Sequence, residues 1–212
     1  MDCRCSSDYE EIFSERAATA TAARFRRRGL TGTSRRIVAT LTELDRPPTS
    51  VLEVGGGIGE IQVVMLENGL AESATNVELA GNWEKEAARL LEERGLRDRV
   101  KRLRGDFVHL APTLPLADVV ILNRVVCCYP RWEDLLSHAG SLARHHLIVT
   151  FPRPGMRPLV GIENLYHRLR ARSFRAFVHP AKAMLGLLAQ SGFHVRADHR
   201  SPVWRTVLVS RA

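Results

Sequence analysis

A doubly wound α/β domain, built on a mostly parallel seven-stranded sheet whose last strand is reversed, is the fold class that the sequence predicts. Three observations carry it. From residue 51 onward, apolar stretches of strand length alternate with helical patterns, the order of a parallel sheet covered on both faces. The first stretch, Val51, Leu52, Glu53, Val54, runs straight into Gly55, Gly56, Gly57, Ile58, Gly59 and then into a helical pattern. The chain finishes on two strand-length stretches, 193–200 and 203–210, joined by the tight turn Ser201, Pro202, and two long strands so joined must pair antiparallel.

Ahead of the sheet, residues 8–28 carry Tyr9, Ile12, Phe13, Ala17, Ala20 and Phe25 at helical spacings and stop at Gly29. A second helix, 35–45, buries Ile37, Val38, Leu41 and Leu44, with Thr33 or Ser34 as its cap and Pro47, Pro48 as its end. The sheet then builds as strand 51–54, helix 58–68, strand 74–78, helix 82–95, strand 99–103, a short helical turn after Asp106, and strand 117–122. That fourth strand is continuously apolar, as buried parallel strands are. Helix 132–143 and strand 146–151 follow.

Residues 152–178 interrupt the alternation with prolines and then place Leu159, Ile162, Leu165, Tyr166 and Leu169 in the pattern of an amphipathic helix rich in arginine. Helix 180–191 restores the alternation. The organisation read from this is an N-terminal helical cap, 1–48, and a core, 49–212, with 152–178 inserted as a lid.

Composition sets outer bounds. The 212 residues are 45% hydrophobic and 6% aromatic, which describes a single globular α/β unit. No run reaches membrane-spanning length and residues 1–30 carry charges throughout, so the expected location is cytoplasmic, without membrane insertion. Cys3, Cys5, Cys127 and Cys128 form neither a zinc spacing nor a disulfide framework, and with the scattered histidines they lead to an expectation of no essential metal. The net charge of +8 raises nucleic acid as a partner, but 28 of the 31 basic residues are arginine, a bias that GC-rich coding produces. The excess is local: eight basic residues face one acid between Arg144 and Lys182.

The glycine turn is built for an anionic or nucleotide ligand, because glycines accept positive φ and let a ligand lie against bare amides at a helix N-terminus. A dinucleotide fingerprint anchored on Gly55 would need a glycine where Glu60 stands. What stands instead, Glu53, Gly55, Gly57 and Gly59 in the pattern E-x-G-x-G-x-G, resembles motif I of the class I S-adenosylmethionine-dependent methyltransferases. The spacing downstream agrees. Glu78, followed by Leu79, ends the second strand 21 residues past Gly57, and Gly105, Asp106, Phe107 close the third.

The resemblance covers about residues 50–210 and implies a Rossmann-like methyltransferase fold, S-adenosylmethionine as cofactor, Glu78 on the ribose and Asp106 near the adenine amino group. It also places Asn123, Arg124 and Tyr129, in the run Asn123 to Pro130, beside the methyl group. That run looks like the one in small bacterial methyltransferases, and the helical N-terminus more loosely resembles the magnesium-protoporphyrin O-methyltransferases.

Methyl transfer from a sulfonium requires alignment and, for a hydroxyl or thiol, removal of a proton. His179, at the end of the lid, is the first candidate base, with Tyr129 and Arg124 bordering the methyl site. Tyr9 and Phe13 are candidates to fold over the acceptor, and Arg153 and Arg157 to bind it. The acceptor expected is a small, anionic molecule, with O-methylation favoured. An RNA- or protein-directed enzyme and a non-catalytic cofactor-binding member of the fold stay open as alternatives, although no Asn/Asp-Pro-Pro-Tyr/Phe motif of nucleic-acid methyltransferases stands at 123–126.

Overall fold

The most apolar strands take the middle of the sheet. In the structure of the chain, a computed structural model that describes residues 6–211, the strands are β1 (Ser50–Val54), β2 (Ser73–Glu78), β3 (Val100–Arg104), β4 (Ala117–Asn123), β5 (Ala143–Pro152), β6 (Phe193–Arg200) and β7 (Trp204–Arg211). They form one sheet in the order β3-β2-β1-β4-β5-β7-β6. β1 through β5 pair in parallel, whereas β7 runs antiparallel between β5 and β6. The reversed last strand is present as the Ser201, Pro202 turn requires. β4 lies at the centre with all residues but Asn123 buried.

Alternation along the central strands divides the core between two faces. Val120 and Leu122 join Leu52 and Val54 under α7 (Trp132–Leu142) and α9 (Ala181–Gln190). Val119 and Ile121 join Val51 under α4 (Glu60–Glu67) and α5 (Glu84–Glu93). Ala22 and Phe25 of α2 (Glu15–Arg28) and Ile37, Val38 and Leu41 of α3 (Gly32–Thr42) belong to the same second cluster, so these two N-terminal helices complete a layer of the core. α1 (Ser6–Ile12) crosses the C-terminal ends of the strands instead.

Several boundaries differ from the sequence reading for local reasons. The helix expected over 8–28 breaks at Ser14, which accepts a hydrogen bond from the Ala17 amide and caps α2. Thr31, not Thr33 or Ser34, precedes α3, and Ser34 turns its hydroxyl inward to donate to Glu60. α4 starts at Glu60 because Gly59 takes the left-handed φ of 80°. β5 begins at Ala143, three residues before the expected start, and pairs with β7 from His146 to Pro152.

The insertion carries the expected helix and adds its orientation. A helix, α8 (Arg157–Leu169), is there, but the apolar stripe that predicted it faces solvent. Its opposite face is held by Asn164, whose side chain exchanges two 2.8 Å hydrogen bonds with the Ala176 backbone, and by buried His167 and Phe174. No helix among the described residues is long and apolar enough to cross a membrane. Cys3 and Cys5 lie outside the described residues.

Candidate active site

The sheet order reverses between β1 and β4, and parallel sheets leave a crevice beyond their carboxyl ends at such a point. A cavity of about 730 Å³ lies there. Its walls come from the turn after β1, the tips of β2, β3 and β4, α1, and the insertion.

Gly55, Gly57 and Gly59 all adopt positive φ, between 57° and 80°, so the turn exposes backbone rather than side chains. Gly56 is required for a different reason. A β-carbon there would lie 2.2 Å from Asn76 Nδ2 and 2.7 Å from Glu53 Cδ, both side chains being fully buried. The turn is also tied down from the neighbouring strands: Gly55 N donates to Val77 O at 2.8 Å, Gly57 N to Glu78 Oε2 at 2.8 Å, and Arg102 Nη2 to Gly57 O at 2.9 Å.

Glu78 therefore has two tasks. Its oxygens each accept one backbone amide, from Gly57 and from Ala80, and a carboxylate oxygen has a second lone pair to offer. Burial holds its carboxyl above the ordinary range. Asp106 accepts the Val108 amide at 2.9 Å as the cap of α6 (Phe107–Leu110), and the Tyr129 hydroxyl donates to its carboxylate at 3.1 Å. Burial, together with the Asp106 charge, pushes the Tyr129 phenol up to about 12, so Tyr129 is a donor at neutral pH and not a proton acceptor. Leu79 and Phe107 line the same end of the cavity.

Behind the glycine turn runs a polar chain that the sequence did not disclose. Arg24 of α2 pairs with Glu60 at 2.7 Å, Ser34 of α3 donates to the other Glu60 oxygen at 2.6 Å, and Asn123 Nδ2 donates to Ser34 Oγ at 3.2 Å. Asn123 Oδ1 and Glu53 Oε2 are buried and have no partner. Both residues line the cavity. Burial and the nearby Glu60 charge raise the Glu53 carboxyl to about 8.

That shift has a sign that can be tested. Below 4.5, the ordinary Glu53 value, folded and unfolded chains both hold the proton and the stability is whole. As pH rises toward about 8 the unfolded chain ionises and the folded one resists, so stability is lost, and above that value the loss is complete. The stability advantage of Glu53→Gln over the parent should accordingly grow from pH 4.5 to 8 and then level, amounting to about 1–4 kcal/mol and visible as a widening gap in Tm. Parallel melting curves for the two proteins across that range would contradict it.

The other end of the cavity is aromatic. Tyr9 of α1 and Phe13, just after it, stack at 5.9 Å and both meet the Phe174 ring edge-on, while Phe13 also approaches Trp83. The Tyr9 hydroxyl donates to Cys128 O, and the Phe177 amide donates to Cys127 O at 2.7 Å, so the segment after β4 receives both α1 and the insertion. Arg124 has a φ of 61°, unusual for a residue with a side chain, and its guanidinium lies 5.9 Å from the Trp204 ring. Arg124, Cys127, Cys128, Glu163 and Trp204 all line this end.

Three sequence candidates stand elsewhere. His179 does not line the cavity: its ring stacks on Phe177 at 5.2 Å and its Nε2 lies 3.0 Å from Tyr129 O. Burial lowers its pKa, so it stays neutral and acts as a strut. Arg153 donates to Ser201 O at 3.0 Å, and Arg157 is exposed at the start of α8; neither lines the cavity. Proximity in sequence to the lid brought these three forward, but the turn into α9 draws His179 away, the β6–β7 turn holds Arg153, and Arg157 is exposed on α8. Trp83, Glu163, Phe174 and Trp204 were missed because no motif marks them and only the tertiary fold delivers them.

No family model matches the chain, and no curated protein does. Solved structures do. An O-methyltransferase family protein from Burkholderia thailandensis superposes with a TM-score of 0.73 at 18% identity, over 96% of this chain and 63% of that one. The magnesium protoporphyrin IX methyltransferase ChlM of Synechocystis PCC 6803, solved with bound SAH, gives 0.70 at 20% identity, over 96% of this chain and 100% of the other. An O-methyltransferase family 2 protein from Planctomyces limnophilus, in complex with apigenin, gives 0.66 at 18% identity, over 93% and 62%. The chain thus spans a little under two thirds of the first and third of these and the full length of the second. At such identities what is shared is the fold, that of the class I methyltransferases.

Proposed function

We propose that this chain is an enzyme that uses S-adenosylmethionine to methylate a small molecule, with a hydroxyl as the favoured acceptor. The observation that carries the reading is the convergence of the 55–59 turn, Glu78 and Asp106 on one end of a cavity whose other end is walled by aromatic side chains. The residues present fit the cofactor: the partnerless buried oxygens of Glu53 and Asn123 are placed for a cationic amino-acid end, and a cation there would return Glu53 to its ionised form. Glu78 would receive the ribose hydroxyls on its remaining lone pairs, and Asp106, held by Tyr129, the adenine end. When bound, S-adenosylmethionine supplies a methyl group on an excellent leaving group. The protein's own work is then alignment, exclusion of water by α1 and residues 152–178, and proton removal.

Glu163 is the acid that the lid helix brings to the acceptor end, and it takes the place that His179 was expected to fill. Arg124 is the cation there; Arg24 also lines the cavity but is committed to Glu60. An anionic, planar acceptor suits this combination of a guanidinium and aromatic walls.

The test is release of S-adenosylhomocysteine across a panel of phenols, hydroxy acids and thiols. Arg124→Gln should raise the acceptor KM by roughly tenfold, the value of one charge-assisted hydrogen bond, and leave S-adenosylhomocysteine affinity unchanged. A neutral acceptor turned over equally well by both proteins would sink the anionic reading, and a panel with no turnover would count against the enzyme.

A further inference from the structure

Of the seven large apolar residues that stand exposed among the described residues, five lie on α8. Leu159, Ile162, Leu165, Tyr166 and Leu169 are 58, 65, 55, 48 and 78% exposed. At the helical angle per residue they fall within about a third of the circumference. The helix cannot turn this stripe inward, because its other face is occupied: Val160 and Glu163 line the cavity, Asn164 is bound to Ala176, and buried His167 packs on Phe174. Arg170, just past the helix, borders the stripe, and Arg157 and Arg168 stand on the helix itself; all three are exposed and make no ion pair among the described residues. Arg170 lies 5.2 Å from the Tyr166 ring, and the one acid of the helix, Glu163, faces the cavity.

We propose that α8 is an interfacial helix that seats the protein on an anionic lipid surface. A contiguous apolar stripe on an exposed helix calls for an occupant, and the arginines decide which. A second copy of the chain, docked stripe to stripe, would set these unpaired guanidiniums against their equivalents on a protein of net charge +8. An anionic bilayer answers both features at once, since acyl chains receive the leucines and headgroups the guanidiniums, with the helix lying in the plane of the interface. The geometry has a consequence for the chemistry, which rests on the proposed methyl transfer. With the outer face of α8 on the lipid and its inner face on the cavity, the acceptor end lies about one helix diameter, ~10 Å, from the bilayer, and an acceptor that partitions into membranes is the one this position serves.

Co-sedimentation with vesicles tests the seat without cofactor or acceptor, so its outcome is independent of methyl transfer. The parent protein should partition onto vesicles of phosphatidylcholine with about a third phosphatidylglycerol roughly tenfold more than onto phosphatidylcholine alone, and less as salt rises. Ile162→Asp combined with Leu165→Asp should abolish this, Leu169→Asp alone should reduce it, and Arg157→Gln with Arg168→Gln should erase the preference for the anionic lipid. All of these positions are exposed, so melting temperatures should match the parent. Absence of binding by the parent, or equal binding by the Asp variants, would overturn the proposal. So would light scattering that shows a dimer dissolved by Ile162→Asp and Leu165→Asp, which would make a second copy the occupant.

Discussion

Glu78→Ala should weaken S-adenosylhomocysteine binding by about 1.5–3 kcal/mol, roughly ten- to 150-fold, because a buried carboxylate that receives ribose hydroxyls contributes charge-assisted hydrogen bonds. The structure adds a second reason for a large effect. Glu78 also accepts the amides of Gly57 and Ala80, so its removal frees the turn against which the proposed cofactor would lie, and a donor that has lost its acceptor has to find water in a buried site. Calorimetry with the variant reads the loss directly. Undiminished affinity would mean that the tip of β2 does not face the ligand.

Gly56→Ala should be strongly damaging for so small a substitution. The added methyl group meets the buried side chains of Asn76 and Glu53 and cannot be accommodated by an exposed chain swinging aside. Overpacking of this kind costs about 1–3 kcal/mol, which for a domain of this size lowers Tm by roughly 2–12 °C. Cofactor binding should fall with it, since the turn must shift. Gly186→Ala is the control: it lies inside α9 with open space around its would-be β-carbon, and relieving a helical glycine should raise stability by about 0.5–1 kcal/mol. Equal melting temperatures for the two variants would show that the turn is looser than its contacts imply.

How far the sequence could be read depended on whether a feature was local. The strands and the reversed β7 were legible because apolar length, glycine turns and the Ser201, Pro202 connection act over a few residues. The positions of Glu53, Gly55, Gly57, Gly59, Glu78, Leu79, Asp106, Phe107 and Asn123 on one cavity follow from the same logic, as a parallel sheet brings strand tips together. Gly56 was overlooked because its need arises from Asn76, on the neighbouring strand. The chain from Arg24 through Glu60 and Ser34 to Asn123 joins four elements and has no spacing of its own. On α8 the period was legible and the direction of the apolar face was not: periodicity shows that a helix has an apolar face, and only the packing of Asn164 and His167 decides that this face looks outward. His179 failed for a related reason, its ring being drawn to the Tyr129 carbonyl by the chain's turn into α9.

The cavity at the reversal of the sheet is the proposed seat of S-adenosylmethionine. Titration of the purified chain with S-adenosylhomocysteine in a calorimeter, with a nicotinamide dinucleotide as the parallel ligand, tests it most directly. The expected result is a saturable one-to-one isotherm for S-adenosylhomocysteine, weakened roughly ten- to 150-fold in Glu78→Ala, and no heat of binding for the dinucleotide. Binding of the dinucleotide, or no binding of S-adenosylhomocysteine by a folded parent protein, would contradict it.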